Sequence, residues 1–497
     1  MREDLSRSPR RRHRRSLSGV VLALGLVVTA AACDPGPPPP ENAPYWHPGT
    51  TVDATTRGPL VRIAWDATTG GDPAASYQIN LSTYQGTVVA LVPASVRSCD
   101  ITGLAASTAY TIVVTARDAQ QHWSGPLTGT KGNRTTTITT TITTTSHGGS
   151  GTLWCHPTTD TDGDGLPNAL ETDDGTYTSA SDAGTDSANP DTDDDGIPDG
   201  EEVLGLGGLN LRAMGARATH KDLFLETDWL DVPACPTGLR PTATAVTAMA
   251  GAFAAAPVLN PDGTGGINLI ADYGQGGGFT GGNAITEPDG VMDDNPNGPE
   301  FEAAKSAHFQ PARLGVFHYV IMLPAGGLGE VFGNDFTLGV RCNDPDPGRY
   351  ARFLMHELGH NLGLQHGGNL LFANRFPNYA SVMNYRYTDA GIDTDCDGEG
   401  DAAIGYSQGL NAPLDESDLD ERDGICAGVD IDWDEDGTIE PSVQYDINGD
   451  GQINLALHDG TLLLSDHDDW ALIEQRGLRC VRVNEAANPP TCVSSRD

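Results

Sequence analysis

The chain has 497 residues, which is too many for one hydrophobic core, so three or four folded units are expected. Its 68 acidic and 29 basic residues give a formal net charge of −39, which argues against nucleic-acid binding because phosphates would be repelled. Such an acidic excess suits an exported protein that binds hard cations.

Residues 1–33 have the pattern of an export signal. A basic stretch from Arg10 to Arg15 precedes the apolar segment Val20–Val28, which is too short for a permanent membrane span. Three alanines then precede Cys33, and this resembles a bacterial lipoprotein cleavage site with Cys33 as the lipidated residue. Ordinary signal-peptidase cleavage after Ala32 and a twin-arginine signal remain open. The protein is therefore expected in the cell envelope, held by a lipid anchor, or secreted.

The cysteine count bears on whether Cys33 is lipidated. The chain has nine cysteines, so removing Cys33 leaves an even number, which suits disulfides in an exported protein. The eight are Cys99, Cys155, Cys235, Cys342, Cys396, Cys426, Cys480 and Cys492. No pairing is predicted from the sequence, although a disulfide is the better interpretation of Cys342 than a cysteine that caps a catalytic metal.

A Pro-rich spacer at residues 34–45 leads into a predicted all-β sandwich at residues 46–130. Segments Val61–Trp65 and Tyr77–Leu81 alternate apolar and polar residues as strands do. Leu104 and Tyr110 precede a third strand, Thr111–Ala116, at the spacing of a tyrosine corner. The region resembles a fibronectin type III module, a fold that usually binds or spaces other domains.

The next two segments differ sharply in composition. Residues 131–152 are Thr-rich and are predicted to be a linker that packs no core. Residues 153–205 contain two copies of D-x-D-x-D-G-x₅-E, a pattern whose alternate carboxylates can wrap one Ca²⁺. The predicted calcium ligands are Asp160, Asp162, Asp164, Glu171, Asp191, Asp193, Asp195 and Glu202. Because no amphipathic helices flank them, the loops resemble thrombospondin type 3 repeats more than EF-hands.

Residues 206–497 are predicted to form the largest unit. Alternation predicts a strand at Asp222–Trp229, and a strongly apolar run predicts one at Gly315–Leu323. A further strand is expected at Gly266–Tyr273, and an edge strand at Gly329–Val340. An Ala-rich helix is expected at Pro241–Ala256, with Thr237 or Pro241 near its start, and a second helix at Arg349–Leu364.

The second helix carries the motif H-E-x-x-H-x-x-G-x-x-H. His356 and His360 lie four residues apart and so leave one helix face. Gly363 allows the chain to break from the helix, so that His366 can complete a three-histidine zinc site with an open position for water. Glu357 is placed to take a proton from that water.

Seventeen residues after His366, Met383 lies in the sequence Ser-Val-Met-Asn-Tyr. Together with the histidine motif this resembles the metzincin metalloproteases, whose Met-turn lies beneath the zinc ligands. The resemblance implies an α+β catalytic domain with a twisted mixed sheet and a zinc helix. It also implies a role for Tyr385 as a further zinc ligand or a hydrogen-bond donor to the transition state. The matrixin-like, reprolysin-like and pappalysin-like branches all remain open.

Three more acidic loops follow the Met-turn, at residues 393–398, 432–437 and 446–451. Their twelfth positions hold Ile404, Val443 and Leu457 instead of Glu, so calcium binding and a merely solvated turn both remain open.

The leading functional hypothesis is a zinc endopeptidase that acts on protein or peptide substrates, with catalytic Zn²⁺ and structural Ca²⁺. A membrane partner is expected only through the possible lipid anchor. The main alternative is a calcium-stabilised adhesin with an inactive protease-like domain, and the intact Glu357 argues against it. A zinc peptidase with two histidines and a glutamate is a third possibility, and His366 argues against that.

Overall fold

The computed structural model describes residues 43–47, 49–81, 87–119, 137–144, 154–156, 158–233, 235, 238–287, 291–329, 333–342, 344, 346–368, 374–453, 463–478, 480–484 and 491–494. The predicted export signal with Cys33, and most of the Pro-rich spacer, lie outside these residues. Within the described ranges, no helix is both long enough and apolar enough to cross a bilayer.

Eight strands form a β-sandwich of two antiparallel four-stranded sheets, with strand orders β1-β2-β5-β8 and β4-β3-β6-β7. The strands are β1 Asp53–Arg57, β2 Leu60–Ala64, β3 Ser76–Leu81, β4 Thr87–Pro93, β5 Ser98–Thr102, β6 Ala109–Arg117, β7 Thr137–Thr143 and β8 Trp154–His156. Tyr77 packs between Trp46 and Trp65 in the core, with ring centroids 5.8 and 5.6 Å away. The predicted corner is present, since the Ala105 N–H donates to Tyr110 Oη at 3.0 Å.

The prediction of a linker at residues 131–152 is wrong for Thr137–Thr143. These residues form β7, which pairs with β6 along its whole length, and Ile142 packs against the sandwich core. Threonine and isoleucine are β-branched and favour the extended backbone, so a composition that looks like low complexity also suits a strand. Strand β8, placed in the acidic unit by the sequence prediction, likewise belongs to the sandwich, and its Cys155 forms a disulfide with Cys99 of β5.

The acidic unit contains little regular structure. It has a 3₁₀ turn at Asn168–Leu170 and two short helices, α1 Asp199–Leu204 and α2 Leu211–Met214. Its small apolar core includes Leu60 from the sandwich, packed with Leu166, Leu170, Val203, Leu204 and Ala218. The first two units therefore share buried apolar surface.

The third unit is built on a six-stranded mixed sheet with the order β10-β9-β12-β14-β13, in which β11 also pairs with β9. The strands are β9 Asp222–Leu230, β10 Asn268–Asp272, β11 Ala284–Ile285, β12 Phe317–Leu323, β13 Gly327–Gly329 and β14 Asp335–Gly339. All pairs are parallel except β13 with β14. The predicted edge strand Gly329–Val340 is thus corrected: its residues Asp335–Gly339 form the interior strand β14, and the edge is the short strand β13.

Four helices belong to this unit: α3 Ala243–Ala254, α4 Pro299–His308, α5 Pro347–Asn361 and α6 Asp469–Arg476. Thr242, and not Thr237 or Pro241, caps α3, because its Oγ1 accepts from the Ala245 N–H at 3.2 Å. Helix α5 packs on α3, and its Leu354, Met355 and Leu358 enter the same core as the fully buried strand β12. A final hairpin joins β15 Cys480–Asn484 to β16 Thr491–Ser494.

Two further disulfides, Cys235–Cys342 and Cys396–Cys426, lie in this unit. The interpretation of Cys342 as a disulfide cysteine is confirmed. The side chains of Cys480 and Cys492 lie outside the described part of the chain.

A buried ion cluster lies between β9 and β10. The Arg313 side chain is fully buried, with Nη1 2.7 Å from Glu226 Oε2 and Nη2 2.7 Å from Asp272 Oδ2. Burial raises the pKa of Glu226 to about 7 despite the facing guanidinium. Arg313 is thus the cation that balances two carboxylates inside the sheet unit.

Replacing Arg313 by methionine is expected to lower the free energy of unfolding of the sheet unit by about 3–5 kcal/mol, because two buried carboxylates lose their cation. Urea unfolding followed by tryptophan fluorescence measures the change. Arg422→Met is the control: Arg422 pairs with Asp420 at the surface, where water screens the charges, so the variant should unfold at nearly the same urea concentration as the parent protein. Equal shifts in the two variants would contradict this assignment.

Candidate metal centres

The three histidines of the motif come together at the end of α5. His356 and His360 lie one helical turn apart, and the chain turns back after α5 to bring His366 beside them. Ring centroids are 5.0 Å apart for the first pair, 5.3 Å for His356 with His366 and 4.9 Å for His360 with His366. One ligand nitrogen from each ring lies within 4.8 Å of the other two, so the set could hold one metal ion.

Backbone carbonyls fix two of the three rings. His356 Nδ1 lies 2.8 Å from the Val382 oxygen, and His360 Nδ1 lies 2.9 Å from the Leu364 oxygen. A carbonyl can only accept, so each Nδ1 carries the proton and each Nε2 keeps its lone pair. His366 Nε2 is buried, and no donor or acceptor among the described residues reaches it. Imidazoles oriented in this way are suited to bind a metal ion.

The same surroundings keep the rings neutral. Burial lowers the pKa of His356 to about 3 and that of His366 to about 4, with a smaller effect from the neighbouring His360. Burial also lowers the pKa of His360. Since the neutral imidazole is the form that binds metals, no proton has to be displaced near neutral pH.

Two glycines make this geometry possible. Gly363 has φ +91°, a conformation that a residue with a side chain rarely adopts, and it ends α5 so that the chain can return with His366. Gly359 faces Met383, and a Cβ there would overlap the Met383 sulfur. Met383 is fully buried, and its sulfur lies against Gly359 of the helix that carries the histidines.

Glu357 faces the edge strand β13. The Gly329 N–H hydrogen-bonds its carboxylate, yet burial dominates and raises the pKa of Glu357 to about 7. Its two carboxylate oxygens lie beside Gly327 and Gly329, where the strand has no side chains. A carboxyl group with this pKa can both accept and return a proton near neutral pH.

Tyr385 borders the histidines and remains 49% exposed. Its ring centroid lies 4.1 Å from that of His366 and 5.5 Å from that of His356. Burial, and then the nearby Glu357 charge, raise the pKa of Tyr385, so the phenol keeps its proton and can donate a hydrogen bond.

The acidic loops share one local structure. In each, the first aspartate accepts a hydrogen bond through Oδ2 from the N–H of the glycine five residues later. The pairs are Asp160–Gly165 at 3.1 Å, Asp191–Gly196 at 2.7 Å, Asp393–Gly398 at 2.8 Å, Asp432–Gly437 at 2.7 Å and Asp446–Gly451 at 2.7 Å. The three C-terminal loops therefore fold like the two N-terminal ones, although they lack the final Glu.

The structure divides each predicted calcium set in two. Carboxylate oxygens of Asp160, Asp162 and Asp164 lie within 4.8 Å of one another, as do those of Asp191, Asp193 and Asp195. The final glutamates join different partners, in the clusters Asp164–Glu171–Asp199 and Asp195–Glu202–Asp222. Sequence reasoning missed Asp199, although it is the ninth residue of the second loop, a position that calcium loops use. It also missed Asp222, which no local pattern indicates.

Two buried glutamates support the C-terminal loops from outside the motif. Glu421 accepts from the Trp433 N–H at 2.6 Å and from the Glu440 N–H at 2.9 Å, while Glu416 accepts from the Ile447 N–H at 3.1 Å. Both lie upstream of the loops, so a search for Glu at the twelfth position could not find them.

Comparison with known proteins identifies one unit. Residues 43–130 match the fibronectin type III domain model. Similar solved structures include the spore cortex lytic enzyme SleM of Clostridium perfringens, 16% identical over 20% of this chain and 28% of that one, with a TM-score of 0.16. Another is the fibronectin type III domain of human collagen alpha-1(XX), 16% identical over 24% of this chain and 95% of that one, with a TM-score of 0.14.

The central fibronectin type III array of RIM-binding protein is also similar, with 20% identity over 18% of this chain and 34% of that one and a TM-score of 0.15. No curated protein matches the chain. The match to the family model identifies residues 43–130 as a fibronectin type III domain, as the sequence predicts.

The acidic clusters predict an unusual pH dependence of stability. Burial, followed by neighbouring carboxylates, raises the pKa of Asp164 to about 6 and that of Glu171 to about 8; burial also raises the pKa of Asp199 to about 7. At pH values between the ordinary and the raised pKa values, the folded protein thus binds more protons than the unfolded chain. The metal-free protein should therefore be more stable at about pH 5 than at about pH 8, and it should lose stability as the pH rises through the raised pKa values.

Thermal unfolding of metal-stripped protein across this pH range measures the effect. Glu171→Gln should flatten the dependence, because the amide does not titrate, while the exposed Glu399→Gln should leave it as in the parent protein. An unchanged pH dependence in Glu171→Gln would show that the cluster does not titrate in this way.

Proposed function

We propose that this protein is a zinc-dependent endopeptidase that acts outside the cytoplasm and hydrolyses peptide bonds in proteins. One observation carries the proposal. One ring nitrogen from each of three neutral imidazoles lies within 4.8 Å of the other two, and Glu357 and the edge strand β13 lie beside this group. The metzincin-like motif residues, Gly363 and Met383 included, support the proposal.

Residues His356, His360 and His366 would hold the zinc, which suits a catalytic site of three protein nitrogens with one open position. The unpartnered Nε2 of His366 and the Nδ1 hydrogen bonds of the other two rings fit such a set. A bound Zn²⁺ supplies Lewis acidity, which polarises the scissile carbonyl and makes a water molecule acidic near neutral pH.

Glu357 acts as the general base. It takes a proton from the attacking water and delivers it to the leaving amine, and its pKa of about 7 suits both transfers. Tyr385 donates its phenolic proton in a hydrogen bond to the oxyanion that develops on the substrate carbonyl. Its raised pKa keeps that proton in place throughout.

The substrate lies extended along β13. This strand ends the sheet order, so one of its edges has no strand partner among the described residues. An extended peptide can pair there through backbone hydrogen bonds. Gly327 and Gly329 let β13 lie close against Glu357, and the intervening Leu328 is 49% exposed.

The acidic loops bind Ca²⁺ in a structural role, since their ligand atoms are oxygens of alternating aspartates. The export signal places the enzyme in the cell envelope or outside the cell. The sandwich and the acidic loops would also suit an adhesin with a silent protease-like domain. Glu357 favours the endopeptidase over the adhesin, because binding alone needs no base beside the metal.

Casein or gelatin cleavage tests the proposal. The purified protein should cleave these substrates, lose activity with a zinc chelator and regain it with added Zn²⁺. Glu357→Ala should lower the rate by about 10²–10⁴-fold while the zinc content stays the same, because only the base is removed.

The control is Glu302→Ala, an exposed glutamate on α4, which should cleave at the parental rate. Equal proteolysis by Glu357→Ala and the parent protein would reject the mechanism. A protein that binds zinc but never cleaves would favour the adhesin.

Tyr385→Phe should lower kcat by about a hundredfold with little change in KM, because the lost hydrogen bond forms only as charge develops on the substrate. Steady-state kinetics on a fluorogenic peptide measures both constants. Tyr445→Phe, a comparably exposed tyrosine, serves as the control. An unchanged kcat in Tyr385→Phe would make Tyr385 a rim residue without a catalytic role.

A further inference from the structure

Three carboxylates meet where the second acidic loop joins the mixed sheet. Asp195 lies in the loop, Glu202 lies in α1, and Asp222 is the first residue of β9. Their oxygens lie within 4.8 Å of one another, and all three residues are at most 2% exposed. Like charges this close inside a protein repel one another unless something compensates them.

The neighbouring lysine does not provide that compensation. Lys221 Nζ donates to the backbone carbonyls of Asp193 and Asp194, so its ammonium is committed to the loop backbone. Asp222 accepts from the Arg217 N–H and from Asn268 Nδ2, both at 2.6 Å. These bonds orient the Asp222 carboxylate. The Arg217 charge also acts on Asp222, but Arg217 is an exposed residue.

Glu202 gives an independent indication of a ligand. Both of its carboxylate oxygens are buried, and no N–H or O–H donor among the described residues satisfies them. What faces them is the carboxyl group of Asp222. A buried carboxylate without donors is strongly destabilising, so the site requires either a shared proton or a bound cation.

The first acidic loop repeats the arrangement. There Asp164 and Glu171, the fifth and twelfth loop residues, are joined by Asp199 from the following repeat, and the Gly200 N–H donates to Asp164 Oδ2 at 2.7 Å. In the second loop the same two positions are joined by Asp222.

The backbone contact recurs as well, because the Asp222 N–H donates to Asp195 Oδ2 at 2.8 Å. Each loop is thus completed by the next element of the chain, and for the second loop that element is the sheet.

We propose that Asp195, Glu202 and Asp222 bind a divalent cation that joins the second acidic loop to β9. Ligands that are all carboxylate oxygens select a hard cation, which favours Ca²⁺. Asp222 belongs to the sheet, so cation binding and the stability of the sheet unit are linked. The proposal concerns cation binding and does not depend on proteolysis.

The strand that this cation would hold leads towards the histidines. Phe224 of β9 packs on Phe317 of β12, with ring centroids 4.7 Å apart. The next residue of β12, His318, lies 3.2 Å through Nδ1 from Asn361 Oδ1 at the end of α5. The cation therefore stabilises the strand pair against which α5 is anchored.

Calcium titration of the metal-stripped full-length protein tests the proposal, with isothermal calorimetry for affinity and thermal unfolding for stability. The parent protein should bind Ca²⁺ and unfold at a higher temperature when it is bound. Asp222→Asn should weaken binding by about tenfold or more and shrink the calcium-induced rise in Tm.

Glu202→Gln separates ligation from a purely structural role, because the amide keeps the shape of the side chain and can still hydrogen-bond Asp222 but loses the charge that a cation would bind. Its metal-free Tm should stay the same or rise, since one like charge is lost, while its calcium affinity should fall. Asp231→Asn, an exposed aspartate just after β9, should behave as the parent protein.

Unchanged calcium affinity in both Asp222→Asn and Glu202→Gln would overturn the proposal. A parent protein that binds no Ca²⁺, and whose stability depends on pH alone, would also overturn the proposal. That result would show that the three carboxylates share a proton instead of binding a cation. If Asp222→Asn fails to fold, Glu202→Gln decides the question alone.

Discussion

The candidate zinc centre depends on two backbone carbonyls that fix the rings of His356 and His360. The Val382 oxygen comes from the segment that carries Met383, and the Leu364 oxygen comes from the turn that carries His366. The segments that complete the site therefore also orient the ligands on the helix. Because Gly363 makes the turn and Gly359 admits Met383 against α5, a side chain at either position would disturb both the ligand set and its support.

The three units are connected by buried contacts. Leu60 of the fibronectin type III domain packs into the core of the acidic unit, and Asp195 of that unit accepts a hydrogen bond from the first residue of the sheet. Inside the sheet unit, Arg313 balances Glu226 of β9 and Asp272 of β10. A region rich in like charges can serve as a connector only if its carboxylates are neutralised, which is why cations are central to the proposed architecture.

Local patterns in the sequence predicted most of what positions the histidines. The spacing in α5 places His356 and His360 on one face, alternation located β9, and a strongly apolar run located β12. The features that were missed depend on tertiary contacts. Strand β7 is extended because β6 pairs with it, β13 is the edge because β14 pairs with β12, and Asp222 meets Glu202 only when the sheet has formed. None of these relations has a signature in the spacing of residues.

The proposed function requires that three imidazoles share one zinc ion. X-ray absorption at the zinc edge of the purified, zinc-loaded protein measures the ligand set. The protein should hold one zinc per chain with three imidazole nitrogens at about 2.0–2.1 Å and no sulfur ligand. A protein that retains no stoichiometric zinc, or a spectrum with fewer than three imidazoles, would contradict the proposed function.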